Sequence, residues 1–321
     1  VTRPALSVIV VTYNSVTTIE RCLSRLERAV DTLEESVEIL IWDNASSDDT
    51  IERIRSHPLA AAGRIDLIAS TDNLGFGGGN NAAAQRATGD VLLLLNPDAY
   101  LDDPASLAEL LAAKRAGRAG IVGPYLENAD GTHQIGDAGY AETLTIAGLW
   151  AFGLDRLPGA PGPYLSRDCP PATPPFAIDW VCGACLIIDH ALFRALGGFD
   201  VRIFLYSEDV DLCLRARRAG ADVLYVPSIR VAHVQGVSSA GKGVSTTWLN
   251  SRFELFERAH GTPVARPLFA AMLAIGFGWR AAVYRLAGRG VGKAAATQKA
   301  HRMQVYAHFA AGRILRNRPT S

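Results

Sequence analysis

Four apolar runs recur in the first hundred residues, each leading into a helical pattern: "LSVIVVT" from Leu6, "VEILIWD" from Val37, "IDLIA" from Ile65 and "VLLLL" from Val91. Continuous hydrophobicity over so few residues marks strands covered on both faces. After the first, Ile19, Cys22, Leu23 and Leu26 repeat at helical spacing. After the second, "SSDDT" offers Ser46, Ser47 or Asp48 as the cap of a helix beginning near Asp49. After the third, a glycine-rich turn gives way to an alanine-rich helix. Such alternation predicts an α/β fold, a mostly parallel sheet flanked by helices, in which ligands gather beyond the carboxyl ends of the strands.

Those four ends are polar: Thr12–Tyr13–Asn14, Asp43–Asn44, the Asn73–Asn81 stretch, and Asn96–Pro97–Asp98. Any one of them is equally an Asx turn or a helix cap. Four in series point to a ligand site. Asp98 keeps two readings, metal carboxylate or first residue of a turn. Gly77, Gly79 and Ala82 fit a dinucleotide fingerprint, but that motif belongs after the first strand, where "TYNSVTT" has no glycine. A flexible loop whose amides approach a ligand fits as well.

Further on, "GIVGPYLENADGT" reads as a strand and turn, and the Pro/Gly-rich stretch Leu157–Pro175 as a surface loop, a candidate substrate flap. "AIDWVCGACLIID" is a strand, "HALFRALGGFD" a short helix, "SEDVDLCLRARRAG" a helix opening on three acids, and "ADVLYVPS" a strand followed by "VAHVQG". Cys182 and Cys185 have the spacing of half a zinc site, yet no second pair follows, which makes them two small core residues. An odd set of five cysteines and an opening that reads as a strand rather than an export leader suggest reduced thiols in the cytoplasm.

The formal net charge of zero hides an asymmetry. Residues 1–261 carry 22 basic and 32 acidic side chains, whereas from Thr262 onward there are ten basic and no acidic ones. The acidic part excludes nucleic acid as its natural ligand. The basic part, with its apolar run Pro267–Trp279, is too short in that run to span a bilayer but suits helices lying on an anionic membrane surface, or a homo-oligomer contact.

The ordered series "VIVVTYN", "WDNASSDDT", "NLGFGGGNN", "LLNPDAYL", "WVCGACLIID", "GGFDVRIFLYSEDVDLCLR" and "VAHVQG" resembles the family 2 glycosyltransferases, inverting sugar-nucleotide enzymes of GT-A fold, and within them the bacterial rhamnosyltransferase-like branch. The resemblance runs from about residue 5 to 236. It implies a catalytic domain over 1–240, with a nucleotide-binding half 1–127 and an acceptor half 128–240, and leaves 241–321 as the basic helical extension read from its composition. It implies that Thr12, Tyr13, Asn14, Asp43 and Asn44 cradle the nucleobase and ribose, with Asp43 accepting a hydrogen bond from one of them. Asn73, Gly75, Phe76, Gly79 and Asn80 would lie against the ribose and diphosphate. Asn96 and Asp98 stand where the family has its Asp-x-Asp metal motif, with Asn96 in place of the first acid. An amide oxygen ligates Mg²⁺ or Mn²⁺ without adding charge, so metal should be held loosely until the donor arrives.

His233 is the further metal ligand implied, supported by the following Gly236. Asp209 matches the catalytic base, paired with Glu208 just after the apolar run "IFLY". Trp180, Gly183 and Ala184 match the acceptor side, where core packing of Trp180 is an equal reading. The donor so implied is dTDP-rhamnose, or a UDP sugar, and the acceptor a lipid-linked or cell-envelope glycan at the inner face of the plasma membrane. Two rivals remain: a sugar-nucleotide-binding protein without catalysis, favoured by Asn96, and a nucleotidyltransferase, which lacks the basic run it would need near "TYNSVTTIE".

Overall fold

The computed structural model describes residues 3–117, 119–157, 160–165, 169–203, 207–234, 244, 246–260, 262, 264–288 and 293–314. The chain forms two compact units. The first comprises Val1–Gly139 and Arg167–Ala240; the second gathers Tyr140–Ser166 with Gly241–Ser321. A stretch from within the expected acceptor half thus belongs with the C-terminal helices.

In the first unit the strands are β1 Leu6–Thr12, β2 Val37–Asp43, β3 Ile65–Ala69, β4 Val91–Leu95, β5 Ala99–Tyr100, β6 Ala119–Glu127, β7 Ala138–Gly139, β8 Phe176–Ile178, β9 Trp180–Val181, β10 Cys185–Asp189 and β11 Asp222–His233. Its helices are α1 Ile19–Val30, α2 Thr50–Ser56, α3 Pro58–Ala61, α4 Gly75–Arg86 and α5 Ser106–Ala116, then, after the second unit's α6 Leu144–Phe152, α7 His190–Ala195 and α8 Glu208–Arg218. Among the described residues the main sheet runs β3-β2-β1-β4-β10-β6-β11-β5, with β8 also on β11. The first four strands and the β6–β11 pair are parallel; β10 runs antiparallel between β4 and β6. Strand β4 is buried along its whole length, as an unbroken leucine run requires, and α1 buries Ile19, Cys22, Leu23, Leu26 and Ala29 on the sheet. Full burial of each large side chain there contributes about 1.5–3 kcal/mol.

Two local readings change. "ADVLYVPS" and the "VAH" that follows lie in a single strand, β11, whose register with β6 shifts between Val226 and Arg230. Pro227 donates no ladder hydrogen bond, so the strand passes it on an irregularity instead of ending. The stretch Gly75–Asn80, expected as a flexible loop, is the first part of α4. Its glycines serve close approach. A Cβ at Gly79 would lie 2.8 Å from a Val11 methyl and 3.1 Å from the Trp42 ring, and one at Gly77 would lie 2.9 Å from Phe199 Cβ.

The candidate flap is not a free loop throughout, because Leu165 and Cys169 are buried. Residues 158–159 and 166–168 of that stretch lie outside the described residues, as do Gly236 and the Phe204–Tyr206 part of "IFLY". The five cysteines are free; Cys22, Cys169, Cys185 and Cys213 are buried, and Cys182 is half-buried.

The second unit is helical: α6, α9 Thr247–His260, α10 Ala265–Ala287 and α11 Lys293–Ala311. The apolar run expected to stop at Trp279 continues, and α10 is 23 residues long, enough by length and composition to cross a membrane. One side of it instead packs into this unit's own core through Phe269, Leu273, Gly276, Phe277 and Ala281, beside Phe253 and Phe256 of α9.

Candidate functional site

The parallel register of β1 with β2 sets Thr12 beside Asp43 at the carboxyl edge. The Thr12 hydroxyl donates to Asp43 Oδ1 at 2.8 Å; Ser46 donates its hydroxyl to the same oxygen at 2.6 Å and its amide to Oδ2 at 2.8 Å. Asp43 is 0% exposed. Its carboxylate therefore organises the edge of the cradle. The Asn44 side chain accepts from Trp42 Nε1 and from the Leu74 amide and donates to the Gly75 carbonyl at 3.0 Å, which fastens the α4 entrance to β2. Asn73 accepts from the Gly75 amide at 2.9 Å. Asn14, at φ 49°, accepts from the Ser47 amide through its side chain and donates its own amide to Ser46. Tyr13 and Asn14 are exposed beside this cradle, and Phe76 is half-buried. Asn80 is buried and donates back to the Phe76 carbonyl.

Around "NPDAY" the chain turns from β4 into β5, and β5 pairs with the end of β11, so that Ala99 faces His233 in register. His233 Nε2 comes within 3.3 Å of Asp98 Oδ1. The other ring nitrogen, Nδ1, lies 2.6 Å from Gln134 Oε1. The Gln134 amide nitrogen donates to the His233 carbonyl at 3.0 Å and to Asn128 Oδ1 at 3.2 Å, which leaves its oxygen facing the ring. Nδ1 therefore carries a proton, and Nε2 is the ring nitrogen that faces Asp98. Gln134 is 2% exposed and was not singled out from sequence. Its place in "ADGTHQIGD" looks like turn chemistry, and no local pattern ties it to a residue 99 positions away.

The donor pair suits a divalent cation. Two ligands on adjacent corners of an octahedron with ~2.1 Å bonds stand about 3.0 Å apart, close to the 3.3 Å found. Among the described residues no cluster of three or more His, Cys, Asp or Glu forms a complete metal cage.

The third group is the acid pair at the start of α8. Ser207 takes φ 72° and turns the chain into the helix. Asp209 Oδ2 accepts from the Gly183 amide at 2.8 Å, and Oδ1 from the Val210 amide at 2.8 Å. Gly183 allows this approach: a Cβ there would lie 3.1 Å from the Phe76 ring and 3.3 Å from Asp209 Cβ. Burial raises the Asp209 carboxyl above its usual value, opposed by those two amides. Burial, then the neighbouring Asp209 charge, pushes Glu208 up to about 8.

The next residue, Ala184, accepts the Asn96 amide at 2.8 Å. One dipeptide, Gly183–Ala184, thus joins the turn bearing Asp98 to the acid pair. Trp180 is 6% exposed, which makes it part of the wall and not an open sugar platform. Asn81, which closes the polar Asn73–Asn81 stretch and had no role of its own in the sequence reading, clamps the backbone of Phe199 with two 2.8 Å hydrogen bonds and holds the "GGFD" turn against α4.

Residues 7–158 match Glycosyl transferase family 2. The chain is 34% identical over 250 residues to an N-acetylglucosaminyl-diphospho-decaprenol L-rhamnosyltransferase of Mycobacterium tuberculosis, covering 71% of this chain and 75% of that one. It is 26% identical over 223 residues to rhamnosyltransferase WbbL of Escherichia coli, covering 67% and 79%. A mannosyltransferase from Pyrobaculum calidifontis, solved with GDP-Man and Mn²⁺, superposes with a TM-score of 0.59 at 18% identity, over 99% of this chain and 89% of that one, a likeness of fold. The sheet order, the polar strand ends and these relatives together make the chain a member of glycosyl transferase family 2, with a GT-A fold and a C-terminal helical region.

Proposed function

We propose that this enzyme transfers L-rhamnose from dTDP-rhamnose, with inversion, to a hydroxyl of a lipid-linked glycan. The observation that carries the reading is the Asp209 carboxylate, fixed by two backbone amides and joined through Gly183–Ala184 to the Asp98–His233 pair. The name of the mycobacterial relative supports the sugar and the lipid diphosphate acceptor.

The chemistry needs one base. As the acceptor oxygen bonds to the anomeric carbon, the bond from that carbon to the phosphate oxygen breaks on the opposite face, and the hydroxyl proton passes to Asp209. A carboxylate whose proton affinity is raised by burial is a better base than an exposed one, and the Gly183 and Val210 amides hold it in a fixed direction. Glu208, whose proton burial and the Asp209 charge hold well above the usual carboxylate range, lessens the negative charge beside the base. Asp98 and His233 would hold Mn²⁺ or Mg²⁺, with Gln134 aiming the imidazole and Asn96 contributing at most a neutral oxygen. When bound, such a cation supplies positive charge against the growing charge of the departing diphosphate. An imidazole nitrogen in the set favours Mn²⁺ over Mg²⁺. Thr12, Asp43, Asn44 and Ser46 keep the nucleoside cradle in shape, with Tyr13 and Asn14 exposed beside it to meet the base.

The test is turnover of dTDP-, UDP- and GDP-sugars with a polyprenyl-diphosphate GlcNAc acceptor, with and without divalent cation, and the product anomer read by NMR. Fastest turnover with dTDP-rhamnose, an inverted anomer and loss with chelator are expected. Preference for another donor overturns the sugar, retention overturns the mechanism, and release of pyrophosphate from a sugar phosphate and a nucleoside triphosphate assigns a nucleotidyltransferase. Binding of donors without turnover makes the chain a sugar-nucleotide-binding protein.

A further inference from the structure

The charge asymmetry follows the folded units. The first unit carries 18 basic and 28 acidic side chains, a net of −10; the second carries 14 and 4, a net of +10. Two of the second unit's four acids are already ion-paired within it, Glu142 with Arg252 and Glu257 with Arg266. On α10, opposite the face that packs on the unit's core, Leu268, Ile275, Trp279, Val283 and Leu286 share one stripe at helical spacing and are all exposed, Ile275 by 64% and Trp279 by 59%. Arg285 of the same helix and Lys299 and Arg302 of α11 are exposed cations of this unit.

An apolar stripe crowned by tryptophan on a strongly cationic helical unit has the chemistry of a face that lies in the headgroup layer of an anionic bilayer. Nucleic acid would match the charge but leave the leucine, isoleucine and valine side chains in water. A spanning role would require Phe269, Leu273, Phe277 and Ala281 to leave their packed partners. We propose that the second unit docks on anionic phospholipid through this face of α10, with the helix parallel to the surface and not crossing it. The proposal is independent of the transfer chemistry, so its failure leaves that reading intact.

Partitioning of the full chain onto vesicles tests it. Binding to phosphatidylserine–phosphatidylcholine vesicles, weak binding to phosphatidylcholine alone, and release by high salt are expected. Each exposed cation replaced, as in Lys299→Gln or Arg302→Gln, should weaken partitioning by about fivefold. Ile275→Asp with Trp279→Asp should weaken it by about tenfold or more. Should that pair disturb folding, quenching of wild-type fluorescence by bromolipids, lost in Trp279→Phe, reads the same contact. Equal partitioning of the Ile275→Asp/Trp279→Asp protein, absence of binding to anionic vesicles, or extraction only by detergent would each overturn the proposal. So would a wild-type dimer in solution that becomes monomeric in that variant, which would assign the stripe to a second copy of the chain.

Discussion

Asp43 and Glu208 are both buried acids at edges of the same site, and the fold treats them in opposite ways. Asp43 accepts three hydrogen bonds, from Thr12 and twice from Ser46. Glu208 has an Oε2 with no hydrogen-bond partner among the described residues, and its carboxyl is pushed up to about 8. A buried carboxylate that is fully bonded holds structure. One left under-bonded keeps its proton and stores a cost that folding elsewhere must offset. The cradle side of the site is therefore rigid by mutual satisfaction, whereas the acid-pair side has groups waiting for a reaction.

The most severe way to break that contrast is Asp209→Asn. The asparagine keeps the volume and can still accept from the Gly183 amide, so the fold should hold while the base is lost. Turnover is expected to fall by about 10²- to 10⁴-fold with donor affinity little changed. In the wild type the acid limb of kcat against pH should sit above the ordinary carboxylate range, because burial raises Asp209. Wild-type-like turnover in the asparagine variant would move the base to another residue.

Next in size is Gln134→Leu, which removes the oxygen facing His233 Nδ1 and frees the ring to take the other tautomer. Groups that aim a metal-ligating imidazole are typically worth 10- to 100-fold in metal affinity. Mn²⁺ binding, followed by EPR with nucleoside diphosphate present, should weaken by about that factor. Binding as tight as wild type would mean that His233 does not ligate. Without nucleotide even the wild type should bind metal poorly, since Asn96 supplies no charge and Asp98 is the only acid of the "NPD" turn.

These two sites also show how far sequence can be read. Strands β1 to β4 and the polar residues after each were legible because local periodicity and proximity in the chain encode them. Asp209 and His233 were reached through resemblance. Gln134 was legible by neither route, and Asn81 only as the end of a polar stretch without its role, for their partners lie 99 and 118 positions away. The glycines of α4 misled for a related reason. Their purpose is contact with Val11, Trp42 and Phe199, which only the folded chain brings near, and in isolation a glycine run reads as a flexible turn. The length of α10 was underestimated because Arg280 and Arg285 interrupt the apolar run, although their positions on the helix let its apolar faces continue.

Glu208→Gln probes the contrast through stability. A carboxyl whose folded value is raised from 4.5 to about 8 binds more protons in the native state between those limits. Stability must then fall as pH rises from about 4.5 to 8 and level off above, by an amount on the order of a few kcal/mol. The glutamine, always neutral, removes this dependence. Urea unfolding across that window should show a shallower decline in the variant, and parallel declines would mean that Glu208 finds partners and resembles Asp43 after all.

The smallest effect belongs to the cradle. Thr12→Val keeps the β-branched shape in β1 and removes one of three donors from Asp43. Because Ser46 still bonds both carboxylate oxygens, the cost should be about 1 kcal/mol of unfolding free energy, recovered in Thr12→Ser, with kcat unchanged. Unchanged stability with weaker nucleotide binding would reverse the assignment: Asp43 would then turn toward the donor when it arrives, and the bonds it makes in the free protein would be a resting arrangement that the ligand replaces.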